Sequence, residues 1–265
     1  MQHNIIDAGV NLTSSQFDKD RESVLERARD ANVANMLLIG CDIQSSIDSQ
    51  IMAKSYGFCS TAGVHPHDAK DAPANLLSQL KELASLKEVV AIGECGLDFN
   101  RDFSPRPIQE QVCAAQLQLA EQLAMPVYLH ERDAHTRLRA LLSEVDVNGV
   151  LHCFTGDKQA LKYYLDYGLM IGVTGWVCDE RRGQQLRELI EYIPNDRLLI
   201  ETDSPYLLPR TLKPKPKSRR NEPAYLHEVA GQIASLKKTT SEAIANCSSE
   251  NFNALFSPQV MDHNA

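Results

Sequence analysis

A chain of 265 residues, 43% hydrophobic and 23% charged, carries enough apolar material for a sizeable core, and its net charge of −8 argues against attraction to nucleic acid through a global field. No apolar stretch approaches the roughly 20 residues of a membrane span, and Met1-Gln2-His3-Asn4-Ile5 places no basic segment before an apolar run, so no secretory signal is expected. Seven cysteines without a C-x-x-C pair fit buried thiols in a reducing cytoplasm rather than a disulfide framework.

Short β-rich runs recur along the chain: 4–10 (NIIDAGV), 34–40 (ANMLLIG), 58–64 (FCSTAGV), 89–93 (VVAIG), 126–130 (PVYLH), 149–154 (GVLHCF), 169–174 (LMIGVT) and 197–202 (RLLIET). They are nearly continuous in Val, Ile and Leu, as buried parallel strands are. Helical spacing fills the intervals, with Cys113, Leu117, Ala120 and Ala124 before the fifth run and Leu186, Leu189 and Ile190 before the eighth. Strand–helix repeats imply a parallel sheet, and eight of them imply closure into a (β/α)8 TIM barrel. Residues 1–265 read as one catalytic domain. An open doubly wound sheet would want a Gly-rich phosphate loop after its first strand, and Gly9-Val10-Asn11-Leu12 is not one. Residues 204–222 read as irregular, a helical region follows from 223, another spans 241–256, and the terminal MDHNA reads as frayed.

In such barrels the chemistry sits at the C-terminal ends of the strands. Those ends carry Asn11, His65 and His67, Glu94, His130, His152, then Glu201, Thr202 and Asp203. Any one of them alone is more simply a structural histidine, a helix cap or a turn starter. Carboxylates and imidazoles delivered to one rim by several unrelated strands are instead the ligand vocabulary of a hydrolytic metal site. Strand alternation turns Glu94 and His152 inward, and sets Cys95 and Cys153 toward the helices as packing groups.

The segments AGVHPHD (62–68), AIGECGLDF (91–99), PVYLHERDAH (126–135), LHCFTG (151–156) and ETDSPYLLPR (201–210) resemble the TatD family of metal-dependent nucleases, in order and over nearly the whole chain. The resemblance implies a (β/α)8 barrel that hydrolyses phosphodiester bonds. By motif position, Glu94, His130 and His152 match the ligands of one metal, and Asp203 matches the carboxylate that supports the attacking water and touches a metal. Glu94 and Asp203 are thus the expected catalytic residues. The stretches DAGVNLTSSQF (7–17) and GWVCDERRG (175–183) resemble one branch of the family, which implies a magnesium-dependent 3'-5' exonuclease on single-stranded DNA and RNA. By ligand softness alone, two imidazoles and a carboxylate suit manganese or zinc as well. The family pattern ends strand one with His-x-His, where this chain has Gly9 and Asn11, so one firmly held metal is expected. Asp7 reads equally as a helper at that site or as a buried hydrogen-bonded carboxylate.

The expected reaction is in-line attack of an activated water, with Asp203 accepting its proton. His65, His67 and Arg132 are the candidate donors to the phosphate. Between Arg210 and Arg220 the chain carries Lys213, Lys215, Lys217, Arg219 and Arg220 without an acid, a strip placed after strand eight to track a strand backbone. Arg219 and Arg220 are its expected substrate contacts, with Trp176 and Tyr206 placed to stack on bases. Single-stranded DNA or RNA is the expected partner, with no membrane, and the chain is expected to be a cytoplasmic monomer. Two rivals remain at this stage: a hydrolase of amides, lactones or phosphotriesters on the same barrel, and a nucleic-acid-binding relative that has lost catalysis.

Overall fold

The apolar runs become eight parallel strands in the computed structural model, which describes residues 5–256. They are β1 (Ile5–Val10), β2 (Val33–Leu38), β3 (Cys59–Ala62), β4 (Val89–Asp98), β5 (Val127–Arg132), β6 (Gly149–Leu151), β7 (Met170–Val173) and β8 (Leu198–Ile200). Each pairs with the next in chain order. The ring closes just past the last strand. There Asn11 N donates to Ser204 O at 2.8 Å and Asp203 N donates to Gly9 O at 2.9 Å. The described residues thus form the (β/α)8 barrel that the strand–helix alternation implies.

Seven helices fill the crossovers: α1 (Arg21–Asp30), α2 (Ile43–Tyr56), α3 (Leu76–Ala84), α4 (Arg106–Leu123), α5 (His135–Leu142), α6 (Lys158–Tyr167) and α7 (Gln184–Leu189). Their ends follow local chemistry. Asp42 and Ser45 make a capping box at the start of α2, and Asp157 caps α6 through the Ala160 amide. Cys113, Leu117 and Ala120 face the sheet from α4, as their spacing predicts, while Ala124 lies past its end in a left-handed cap. Two more helices, α8 (Leu226–Lys237) and α9 (Ser241–Phe256), follow the irregular segment.

Apolar side chains divide into two layers. One lies between strands and helices, and the other fills the barrel with Ile6, Leu37, Val90, Tyr128, Val150 and Leu199. Phe252 and Phe256 of α9 pack into that inner layer. Ser248 accepts a hydrogen bond from Ile200 N at 2.9 Å, and Asn251 donates to Leu198 O at 2.8 Å, so α9 is also tied to β8 by its polar face.

Two boundaries differ from the sequence reading in ways that shape the site. β4 runs five residues beyond its apolar stretch, through Glu94 to Asp98, because its register with β5 continues to Asp98 opposite Arg132. β6 stops at Leu151, so His152 and Cys153 sit beyond the ladder. Cys153 is in the left-handed region (φ 46°), and the alternation that would send it toward the helices does not hold there. Residue 4 of the first run and the expected frayed end at 261–265 lie outside the described residues.

Asp7 resolves as a closing bolt of the barrel. Its carboxylate is fully buried and accepts from Thr202 N at 2.8 Å and Thr202 Oγ1 at 2.6 Å, joining β1 to the segment after β8. Burial pushes Asp7 up to about 8, against the hydrogen bonds from Thr202 and Gly9. Its folded value lies above the unfolded one near 4, so the native state loses stability as pH rises from about 4 to about 8. We predict that Asp7→Asn folds and gains stability relative to the parent across that window. Asp7→Ala, which leaves the Thr202 donors unpaired, should cost about 1–3 kcal/mol. Denaturant titrations at pH 5, 7 and 9 measure both; a parent–Asn difference independent of pH would contradict the first expectation.

Candidate active site

Three imidazoles converge on one carboxylate oxygen at the C-terminal mouth of the barrel. Glu94 Oε1 lies 3.0 Å from His130 Nδ1, 3.4 Å from His65 Nε2 and 3.8 Å from His152 Nε2. Four separate strand ends supply these groups: Glu94 from β4, His130 from β5, His65 from the loop after β3 and His152 from just past β6. Donor atoms of His65, Glu94 and His130 lie within 4.8 Å of one another, and so do those of His152, Cys153 and Asp203. His65 thus falls within the ligand cluster itself, closer in than the phosphate-facing place expected for it.

Asp203 stands beside this cluster in a left-handed conformation (φ 53°). Asn11 donates to its Oδ1 at 2.9 Å. The asparagine therefore orients the carboxylate, and its own Oδ1 faces Cys41 Sγ at 3.7 Å. Gly9 leaves room for something else. A Cβ there would stand 2.2 Å from the Tyr128 hydroxyl oxygen and 2.8 Å from Glu201 Oε2. Those two groups occupy the space in which a side chain at position 9 would lie.

Charge in the cup is strongly coupled. Burial works against ionisation of Glu94, but His65 and His152 hold its carboxyl well below the usual carboxylate range. Burial opposes charge on His130 too, yet Asp98 and Glu94 raise it to about 9. For His152 the same opposition is outweighed by Glu201 and Glu94, and it rises to about 10. Burial takes His65 down to about 4, against the pull of Glu94. Asp203 is pushed up to about 7 by burial, with Glu94 and Glu201 adding to the effect and His152 opposing it.

These residues fit a divalent cation. The cup holds more carboxylate than it can balance with neutral imidazoles, so protons occupy the imidazoles where a metal would replace them. The buried Nε2 of His130 has no hydrogen-bond partner, with Asp98 Oδ2 at 3.5 Å. A carboxylate with two or three imidazoles is a familiar donor set for such an ion.

Around the site, His67 pairs with Asp98 at 2.7 Å and its ring meets the exposed Phe103. Arg132 is half-buried at the end of β5, and among the described residues no ion pair ties it to Asp133 or Glu131. Trp176, Arg182, Arg210, Lys215, Lys217 and Arg219 line a groove of about 670 Å³ between the segment after β7 and the loop after β8. Arg182 stacks on Trp176 at 4.4 Å and Asp179 is the groove's one acid. Arg219 is exposed there, and Tyr206 is exposed on the rim. Arg220 differs from the expectation. It is bound to Asp20 at 2.7 Å and to Glu222 at 2.8 Å and lies over Phe17, so its charge braces the loop.

Residues 6–257 match the family described as TatD related DNase. The chain belongs to that family. It is 52% identical over 258 residues to the 3'-5' ssDNA/RNA exonuclease TatD of Rahnella sp. (strain Y9602), covering 95% of this chain and 98% of that protein. Identity to the protein of the same name from Klebsiella pneumoniae (strain 342) is also 52%, over 97% of this chain and 99% of the relative. Among solved structures, a TatD homologue from Escherichia coli K12 superposes with a TM-score of 0.87 at 27% identity, covering 96% and 98% of the two chains. Membership of this DNase family supports a nuclease over a small-molecule hydrolase that merely shares the barrel.

Several site residues escaped the sequence reading. Asp98 was hidden because β4 outruns its apolar stretch. Cys41 reaches Glu94 Oε2 (3.8 Å) from a position after β2 that carries no motif. Tyr128 did carry a signal, standing two residues before the rim group His130 in an otherwise apolar run, and Glu201 was read as a rim group without its contact to His152.

Two outcomes follow. Cation binding must displace protons from His130 and His152, so affinity weakens as pH falls below their raised values. The dissociation constant for Mn2+ should rise by about tenfold or more per pH unit between pH 9 and 6.5; titration calorimetry giving a flat profile would remove these imidazoles from the ligand set. Gly9→Ala should lose about 1–3 kcal/mol through overpacking against the Tyr128 hydroxyl. Adding Tyr128→Phe to Gly9→Ala should recover part of that loss in thermal melts.

Proposed function

We propose that this chain is a metal-dependent phosphodiester hydrolase that removes nucleotides from the 3' end of single-stranded DNA and RNA. The observation that carries the reading is the convergence of His65, His130 and His152 on Glu94, with Asp203 beside them within the same mouth. Substrate and polarity are carried over from the relatives named for that activity. Glu94, His130 and His152 are proposed to hold the cation, with His65 and Asp203 within reach of it, and magnesium is the proposed ion. When bound, it supplies positive charge for the phosphoryl oxygens and lowers the pKa of a water.

The chain's own groups do the rest. Asp203, oriented by Asn11, takes the proton of the attacking water. His67, kept in place by Asp98, and Arg132, without an ion pair among the described residues, are proposed to donate to the phosphate. The groove at Trp176, Lys215, Lys217 and Arg219 is proposed to hold the rest of the strand, the indole offering a stacking face and the cations a track for the backbone, while Arg182 is held by Asp179 at 3.0 Å. Among the two loop arginines, Arg219 takes this role, since Arg220 is engaged with Asp20 and Glu222. This local positive strip offsets the net charge of −8 where the strand would approach. We further propose a single catalytic domain that works as a monomer in the cytoplasm. No described helix is long and apolar enough to cross a membrane, and all seven cysteines are free thiols.

Digestion of oligonucleotides labelled at either end, single-stranded and duplex, with Mg2+ or Mn2+ tests the proposal. A ladder that shortens from the 3' end of single strands is expected; internal cuts would overturn the polarity, and binding without cleavage would leave a catalytically dead relative. Glu94→Ala should lower the cleavage rate by about a thousandfold, equivalent to several kcal/mol of transition-state stabilisation. Retained activity in a folded Glu94→Ala variant would overturn the metal assignment.

A further inference from the structure

Glu201 and Tyr128 are completely buried beside the site and take no part in the chemistry above. One oxygen of Glu201 accepts from the Cys153 amide at 2.6 Å. The other accepts from the Tyr128 hydroxyl at 2.6 Å and lies 3.0 Å from His152 Nδ1. The Tyr128 oxygen is itself 2.8 Å from the same Nδ1. Two glycines make room for this cluster. A Cβ on Gly172 would stand 2.5 Å from Glu201 Oε1, just as one on Gly9 would meet Oε2 and the tyrosine. A buried carboxylate in a slot walled by two glycines is costly unless it holds something in place.

We propose that Tyr128 and Glu201 together are a positioning device that keeps the proton of His152 on Nδ1, so that the Nε2 lone pair faces Glu94 and the cation. The proposal rests on the reading of His152 as a metal ligand. The hydrogen-bond directions enforce it. The single tyrosine proton goes to Glu201, the stronger acceptor, so the tyrosine oxygen can only accept from Nδ1. Glu201 Oε2 is likewise an acceptor. Nδ1 therefore faces two acceptors and must be the donor, and Nε2 is the nitrogen left for the metal. Such outer partners fix both the tautomer and the ring angle of a ligating histidine.

Glu201→Gln is the sharpest test, because the amide must reverse this pattern. The Cys153 N–H requires an acceptor, so the glutamine carbonyl takes it and the NH2 group turns to Tyr128 and Nδ1. Nδ1 then has to accept, and the proton moves to Nε2, where it blocks the metal. The Mn2+ dissociation constant, read from free-ion electron paramagnetic resonance, should rise by about 10–100-fold in Glu201→Gln and by several-fold in Tyr128→Phe, which leaves Glu201 in place. In proton–nitrogen NMR spectra of Zn2+-loaded, 15N-histidine-labelled wild type, His152 should show a protonated Nδ1 and a metal-bound Nε2. Metal on Nδ1 would overturn the proposal. So would Glu201→Gln and Tyr128→Phe both binding Mn2+ as tightly as wild type. If Glu201→Gln fails to fold, Tyr128→Phe decides alone, and affinity within about twofold of wild type would overturn it. Wild-type protein that binds neither ion overturns the metal reading together with this proposal, whereas wild-type binding with unaltered variants overturns this proposal alone.

Discussion

Carboxylates crowd the mouth of this barrel, and each needs a partner if it is to remain buried. Asp7, Glu94, Asp98 and Glu201 are buried and Asp203 is half-buried, all supplied by β1, β4 and the segment after β8. The structure allots them different partners. Asp7 is bonded to Thr202 and closes the ring, Asp98 is paired with His67, and Glu201 is enclosed by Tyr128, His152 and the Cys153 amide. Glu94 faces the imidazoles and Asp203 faces an asparagine, so these two carry the charge that a cation and a water can use. Removing any one outer partner would return charge to the centre of the cup.

The same accounting explains why a glycine at position 9 is compatible with a metal site. In this chain the space beside β1 is filled by the Tyr128 hydroxyl and the Glu201 carboxylate. Both act on His152, whereas Asn11, two residues along on the same strand face, acts on Asp203. Strand one thus contributes orientation to the proposed ligand His152 and the proposed base Asp203, where an imidazole would contribute direct ligation. One well-ordered cation site is the arrangement this favours.

Electrostatics are also divided by place. The chain as a whole repels a polyanion, yet the loops after β7 and β8 set several cations and an indole along one groove beside the mouth. Arg220 shows why counting basic residues is insufficient. It belongs to the same strip, but Asp20, just before α1, and the nearby Glu222 claim its guanidinium, and it serves to hold the loop against the start of α1. Arg219, its neighbour, projects into solvent.

Much of this was legible beforehand. Nearly continuous apolar runs separated by helical spacing specify buried parallel strands, and eight such units specify a barrel, since pattern and period are local properties of a chain. Glu94, His130, His152 and Asp203 stand at or near the ends of those runs among other rim groups, and resemblance to the family's motifs singled them out. Their partners could not be assigned this way. Asp98 became part of the site when pairing with β5 carried β4 past its apolar residues, and Cys153 turned inward when its backbone left the ladder. Asp7 could equally have been a ligand or a bolt, and only contact with Thr202, 195 residues away, distinguished the two. Sequence by itself determined which residues reach the rim. The tertiary structure decided what each one does there, because a buried carboxylate's role depends on which distant donor folding places within hydrogen-bond reach.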